Sequence, residues 1–560
     1  MRKAAIIITL ILIAGITLPA AAATQSQTPA PLTAQLDQLL SSVYKTGEPG
    51  AALIIMKDGQ VLARKAYGMA DLELGIPLEP DMVFRIGSMT KQFTAVSILM
   101  LMEQGKLALS DPITKFLPDY PTQGKTITVE HLLTHTSGIQ SYTDMASWLP
   151  LMRKDMSLTE LINIFKDQPM QFAPGERWRY NNSGYILLGA IIEKAAGTTY
   201  ATFLQKNIFD PLGLKHTHYG SATRVIPRRI PGYGPGINNT FLNADFISMS
   251  QPYAAGSLLS SVDDLAAWNE ALLAGKLIKR ETLERAWTPY KLADGTSTGY
   301  GYGWMIGSYE GHRRIEHGGG IPGFTSDGIL FPEDRLYVII LTNSTVPGRA
   351  PSPLAFRVAA LALAKPYQEP VAVTLPAADL APLAGIYVNQ WKEEFTVRIT
   401  GTTMTISGPD ISPTAIYPLS PTLFFLKNST TRVEFKRDAK GVPLEATVTP
   451  GLGPIARFIR TAKPLAVARQ AVFVDPKVLD KYSGEYEIAP GFSIRFFRDG
   501  AKFMTQATGQ AAFEAYAETE TKFFLKVVDA QVEFIMDASG AVTGIALNQN
   551  GRQLPGKKIK

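Results

Sequence analysis

A serine with a lysine three residues on, a tyrosine closely followed by an asparagine, and a histidine heading a run of glycines can together perform acyl transfer through a serine. The chain carries them as Ser88-Met-Thr-Lys91, Tyr180-Asn-Asn182 and His317-Gly-Gly319, with a further glycine at Gly320. The Ser88 hydroxyl is a weak nucleophile until a neighbouring base takes its proton. Lys91 and Tyr180 are the candidate proton carriers, and which of the two is the base stays open. Asn182 offers an amide to hold substrate. His317, Gly319 and Gly320 offer a strand that lets a ligand approach the backbone closely, and the N–H of Gly320 can pair with that of Ser88 around an oxyanion. A free lysine, with a pKa of ~10.4, is a poor base at neutral pH. Burial, a nearby cation or the positive end of a helix would lower it.

Each pattern recurs elsewhere in the chain, as Ser42-Val-Tyr-Lys45, Tyr387-Val-Asn389 and His218-Tyr-Gly220. The surrounding elements separate site from coincidence. Ser88 follows Arg85-Ile86-Gly87 and opens a helical run over 91–104 that closes at Gly105. The glycine permits a tight turn into the helix, and spacing i, i+3 puts Lys91 on the Ser88 face. Ser42 falls in a short amphipathic helix bearing Leu36, Leu39, Leu40 and Val43. Tyr180 sits in an irregular turn before an apolar helix that starts at Ser183 and ends at Gly197. Tyr387 falls in an alternating strand of a different domain, and His218 reads as a loop residue. His317 is expected to end a short strand over 313–316, followed by a hairpin of 324–331 and 335–343.

On these motifs, and on His131-Leu-Leu-Thr-His-Thr-Ser-Gly138, residues 32–365 resemble the serine β-lactamase and penicillin-binding-protein superfamily in its class C-like branch. That branch also holds D-stereospecific aminopeptidases, D,D-carboxypeptidases and esterases. The resemblance implies an α+β fold, an antiparallel sheet flanked by helices with a helical subdomain. It implies Ser88 as the acylated nucleophile, Lys91 and Tyr180 sharing proton transfer, Asn182 at the substrate amide, and His317 where β-lactamases usually place lysine. Histidine there is similar to D-aminopeptidase and some carboxypeptidase members.

The ends and composition bound the rest. Residues 1–23 read as a secretory signal, with Arg2 and Lys3, an apolar stretch over 4–18 and an Ala21-Ala22-Ala23 end. A soluble periplasmic or secreted protein is expected, without a stable membrane span after cleavage. The chain has no cysteine, which excludes disulfides, thiol catalysis and a lipid-modified N-terminal cysteine. Its net charge of +6, or +4 without Arg2 and Lys3, is thinly spread and argues against nucleic-acid binding. His131 and His135 share an i, i+4 spacing, but the glutamate a zinc hydrolase needs is missing, so they read as core or capping residues. No metal and no cofactor are expected.

Beyond a proline-rich stretch over 347–376, short alternating strands repeat. Gly385, Phe424 and Asp438 return as Gly484, Phe523 and Asp537, each shifted by 99 residues. A constant offset means two copies of one domain, over 376–465 and 472–560, each closing its strands. They resemble the lipocalin-like barrels that follow the catalytic domain in D-aminopeptidases. The second is expected to send a loop towards the Ser88 cleft. The whole reads as an exported serine hydrolase acting through an acyl-enzyme on amide or ester bonds of D-amino-acid peptides. The same residues would serve a β-lactamase, D,D-carboxypeptidase or esterase. A non-hydrolytic penicillin-binding sensor or scaffold would carry them too.

Overall fold

A computed structural model describes residues 31–560 except 237–239, 409–410, 466–468, 470, 490, 511, 529 and 550–551. The expected signal over 1–23 lies outside the described residues. The run Leu-Tyr-Val-Ile-Ile-Leu-Thr at Leu336–Thr342 is buried at every position, which only a strand covered on both faces allows. It lies inside a six-stranded antiparallel sheet. The strands are β1 (Ala51–Lys57), β2 (Gln60–Tyr67), β3 (Met305–Tyr309), β4 (His312–Ile321), β5 (Phe324–Phe331) and β6 (Leu336–Thr342), ordered β3-β4-β5-β6-β1-β2.

Alternate residues of β6 divide the core. Val338 and Ile340 pack with Leu53, Ile55 and the helices α1 (Leu32–Ser41) and α5 (Pro351–Ala362). Tyr337, Ile339 and Leu341 face the larger core, built around α2 (Thr90–Glu103), α3 (Val129–Leu133) and α4 (Asn182–Ala196). Most of α2 is buried, with Phe93, Val96, Ile98 and Leu99 fully enclosed. A helix surrounded by packing holds its first turn rigidly. Among the described residues no helix is long and apolar enough to cross a membrane.

The site strand differs from its expected form. β4 runs from His312 to Ile321, so His317 and three glycines lie inside it. Gly318, Gly319 and Gly320 pair with Asp327, Ser326 and Thr325. Glycine normally weakens a strand interior. Here a methyl group at Gly319 would run into the Ile86 carbonyl, so the bare backbone is what lets β4 lie against the Ser88 turn. β3 pairs only as far as Glu316, which leaves the 317–321 edge of β4 without a strand neighbour. His218, expected in a loop, lies in a two-residue strand pairing with Leu259.

The C-terminal third forms two closed eight-stranded barrels, Gly385–Val388 through Ala456–Arg460 and Gly484–Ala489 through Arg552–Lys558. They repeat in detail, inside and at the surface. Tyr387 Oη donates to the Leu383 carbonyl at 2.8 Å, and Tyr486 Oη to that of Tyr482 at 2.8 Å. Lys427 lies over the Tyr417 ring, and Lys526 over Tyr516.

Candidate active site

Ser88 sits in a 3₁₀ turn, Gly87–Met89, that leads directly into α2. Gly87 has φ +51°, and a side chain there would begin 2.9 Å from the Gly320 backbone nitrogen. The turn and the free edge of β4 are therefore in contact through bare backbone. Ser326 Oγ fastens the same junction by donating to the Ile86 carbonyl at 2.9 Å.

Lys91 is fully buried, and its Nζ lies 3.1 Å from Ser88 Oγ, 2.8 Å from Asn182 Oδ1 and 2.9 Å from the Ala255 carbonyl. Among the described residues no carboxylate pairs with it. Burial holds its pKa well below the ordinary lysine value. Two of its N–H groups meet the two oxygens that can only accept, so once deprotonated the amine has its lone pair for the Ser88 hydroxyl, the one partner that can donate.

Tyr180 and Asn182 are held by the entry to α4. Asn181 caps that helix, its Oδ1 accepting from Gly184 N–H at 2.7 Å, while its own N–H donates to His135 Nδ1 at 3.1 Å. Asn182 Nδ2 donates to Thr143 Oγ1 at 3.0 Å, so its amide is oriented from both ends. The Tyr180 ring lies 4.7 Å from Lys91 Nζ, and its hydroxyl hydrogen-bonds with Ser88. Loss of solvent raises the Tyr180 pKa, outweighing the lowering effect of Ser88, so the phenol keeps its proton.

His317 is buried, and its Nδ1 lies 2.6 Å from the Gly318 carbonyl. A carbonyl only accepts, so Nδ1 carries the proton and Nε2 accepts from Tyr300 Oη at 3.1 Å. Burial, reinforced by Lys91, drives its pKa down to about 3, and the imidazole is neutral. On the opposite face of β4, Glu316 is paired with Arg314 at 2.6 Å and stands beside Asp327; burial raises Glu316 to about 8.

Motif reading passed over the aromatic wall of this site. His135 has φ +59° and lies with its ring 4.4 Å from Tyr180, 5.1 Å from Tyr185 and 4.7 Å from Tyr300. Its Nε2 is buried without a hydrogen-bond partner, and burial holds its pKa well down. The usable signal was the run Tyr300-Gly-Tyr-Gly303, whose glycines mark close packing. His131 instead forms a capping box with Thr128. Among the recurrences, Ser42 Oγ donates to the Leu39 carbonyl on the surface. Asn389 braces a barrel loop through Glu393 and Trp391.

That loop belongs to the first barrel, and it contacts the segment leading to Tyr180. Arg177 lies between the Phe172 and Trp391 rings and pairs with Glu393. Trp178, next along the chain, shares a cleft of about 570 Å³ with Trp391, Pro454 and Arg457 of that barrel. The second barrel meets the catalytic domain at another point, where Gly509 lies against Asp245, a residue that shares a cavity with Arg85 near the Ser88 turn.

The β-lactamase family is matched across residues 32–363. The chain belongs to that family. A domain family of unknown function, DUF3471, is matched over 468–558. A penicillin-binding protein of Bacillus subtilis strain 168 is 28% identical over 423 residues, covering 71% of this chain and 93% of that one. Penicillin-binding protein PbpX of the same strain is 32% identical over 314 residues, covering 56% and 75%. Among solved structures, the octameric penicillin-binding protein homologue from Pyrococcus abyssi matches at 28% identity with a TM-score of 0.54, covering 77% of this chain and 99% of that one. The D-amino acid amidase from Ochrobactrum anthropi SV3, in complex with L-phenylalanine amide, matches at 26% identity with a TM-score of 0.51, covering 57% and 93%. This β-lactamase-family chain is a serine hydrolase carrying two C-terminal barrels.

Proposed function

We propose that Ser88 is the nucleophile of an exported amidohydrolase that acts through an acyl-enzyme on D-amino-acid amides and peptides. In this reading residues 32–365 form the catalytic unit, followed by barrels over 376–465 and 472–560. The observation that carries it is the buried Lys91, its Nζ 3.1 Å from the Ser88 hydroxyl, its pKa driven well down by burial, and no acid paired with it among the described residues. Lys91 is then the base and Tyr180, which keeps its proton, is the donor to the leaving nitrogen. The N–H groups of Ser88 and Gly320 hold the oxyanion, and Asn182, itself oriented between Lys91 and Thr143, contacts the substrate amide. Water activated by the same pair releases the acid.

Substrate class follows from charge. A neutral His317 puts no cation where β-lactamases usually carry lysine, so that position gives a carboxylate no charge to bind. The amidase similarity supports the same choice over a β-lactamase or D,D-carboxypeptidase. Export rests on the signal-like sequence of residues 1–23. The test is Ser88→Ala against Ser42→Ala, measured by turnover of D-alanine p-nitroanilide and by labelling with a fluorescent penicillin. Ser88→Ala should lose several orders of magnitude in rate and all labelling, and Ser42→Ala should keep both. Labelling that survives in Ser88→Ala protein refutes the assignment.

A further inference from the structure

A second cavity of about 440 Å³ lies beside the Ser88 turn, with Arg85, Arg229, Asn243, Asp245 and Phe324 in its wall. Arg85 ends the short strand Phe84–Arg85, two residues before Gly87, and its guanidinium lies over the Phe324 ring at 5.8 Å. Phe324 opens β5, just past the free edge of β4. Arg85 is half-buried and forms no ion pair among the described residues. The Arg229 guanidinium donates to the Ser221 carbonyl at 2.9 Å and forms no ion pair among the described residues. The one acid in the wall, Asp245, pairs with neither arginine. Its Oδ1 is 3.9 Å from Arg153, and its Oδ2 faces Gly509 of the second barrel.

Two guanidinium groups therefore share a cavity without an anion between them. A partly desolvated cation left unpaired is costly, and two of them repel; burial and then Arg229 both depress the Arg85 pKa. A planar fork of N–H donors suits an oxyanion bound bidentately, and of the carboxylates and phosphates that fit it, an acyl-transfer site handles carboxylates. We propose that this cavity is a binding site for the carboxylate of a small organic acid, held between Arg85 and Arg229. The acid has two sources. It is the acidic end of a substrate reaching past Gly320, or the free acid that hydrolysis at Ser88 would release, bound apart from the cleft. The second source rests on the hydrolase reading, whereas binding itself does not.

The probe is N-acetyl-D-alanine, with uncharged N-acetyl-D-alaninol as its control. Binding is measured by calorimetry on the full chain at constant ionic strength, for the native protein and for Arg229→Gln. Arg229 is exposed, so its loss leaves the fold intact, which circular dichroism verifies. The acid should bind at least tenfold more tightly than the alcohol, and Arg229→Gln should erase that preference. Equal binding of acid and alcohol, or an undiminished preference in Arg229→Gln, overturns the proposal. The two sources separate in an ester-hydrolysis assay with the acid added. Competitive inhibition supports a substrate carboxylate sharing the Ser88 cleft. Altered kcat at unchanged KM supports a free acid held apart. If Ser88→Ala abolishes neither turnover nor labelling, the hydrolase reading fails while the calorimetric result still decides this site.

Discussion

Replacing Gly87 by alanine tests whether the contact between the Ser88 turn and β4 is what positions the nucleophile. Two costs arise. The left-handed conformation at φ +51° costs a residue with a side chain about 1–2 kcal/mol. The added methyl would also begin 2.9 Å from the Gly320 nitrogen and 3.1 Å from its carbonyl oxygen, both backbone atoms that cannot rotate away. Overpacking of that kind costs about 1–3 kcal/mol. The expected loss is roughly 2–5 kcal/mol in all. Gly105, at the other end of α2, is the matched control, with φ +71° and nothing near its missing side chain. Gly105→Ala should cost only the conformational part, roughly 1–2 kcal/mol. Relief of the clash moves Ser88 away from Gly320, and a shift on the order of 1 Å costs about a hundredfold in rate. Denaturant unfolding gives the stabilities, and hydrolysis of an activated ester gives kcat. Equal stability losses in the two variants, or full kcat in folded Gly87→Ala, would refute the reasoning.

Lys91→Arg keeps a cation but removes a base that can be neutral at working pH. Acylation measured before the steady state should fall by at least about a thousandfold, and native activity should vanish as pH drops through the lowered Lys91 pKa. Buried neutral His317, with its pKa lowered from 6.5 to about 3, binds a proton in the unfolded chain first. Stability should therefore fall between those pH values, by about 1.4 kcal/mol per unit from this group, and His317→Gln should remove that part of the slope in denaturant titrations. Trp391→Ala with Glu393→Gln unstacks and unpairs Arg177, weakening the first barrel's hold by about 1–3 kcal/mol. Proteolysis between 363 and 385 should quicken, and an unchanged cleavage rate would count against the clamp.

The parts of the site that follow from local spacing were legible in the chain. The Ser88 turn, Lys91 one helical turn on and the Asn182 entry to α4 each depend on residues close in sequence. The extent of β4 was not, because its glycines oppose strand formation locally and are justified only by the Ile86 carbonyl far away in sequence. His135 was legible only as a core or capping residue, and it is buried; its place beside the site depends on rings at positions 180, 185 and 300, far off in sequence. The barrels betrayed themselves through repetition, yet which of them would meet the Tyr180 segment depends on docking. The second was expected to send a loop towards the Ser88 cleft; its Gly509 lies against Asp245 in the wall of the cavity beside the Ser88 turn, while the first grips Arg177.

Each barrel is closed by its first strand pairing with its own last, Tyr387 with Arg460 and Tyr486 with Lys558. During synthesis the earlier copy must wait for its final strand, and until then its opening strand is exposed on one side. The later copy supplies a near-equivalent strand 99 residues on, so the ribosome delivers the correct partner before the wrong one. Order of emergence, rather than a difference in affinity, is then what protects this tandem from exchanging strands. Refolding the whole chain from denaturant removes that order, and misassembled barrels should be more frequent there than in newly made protein.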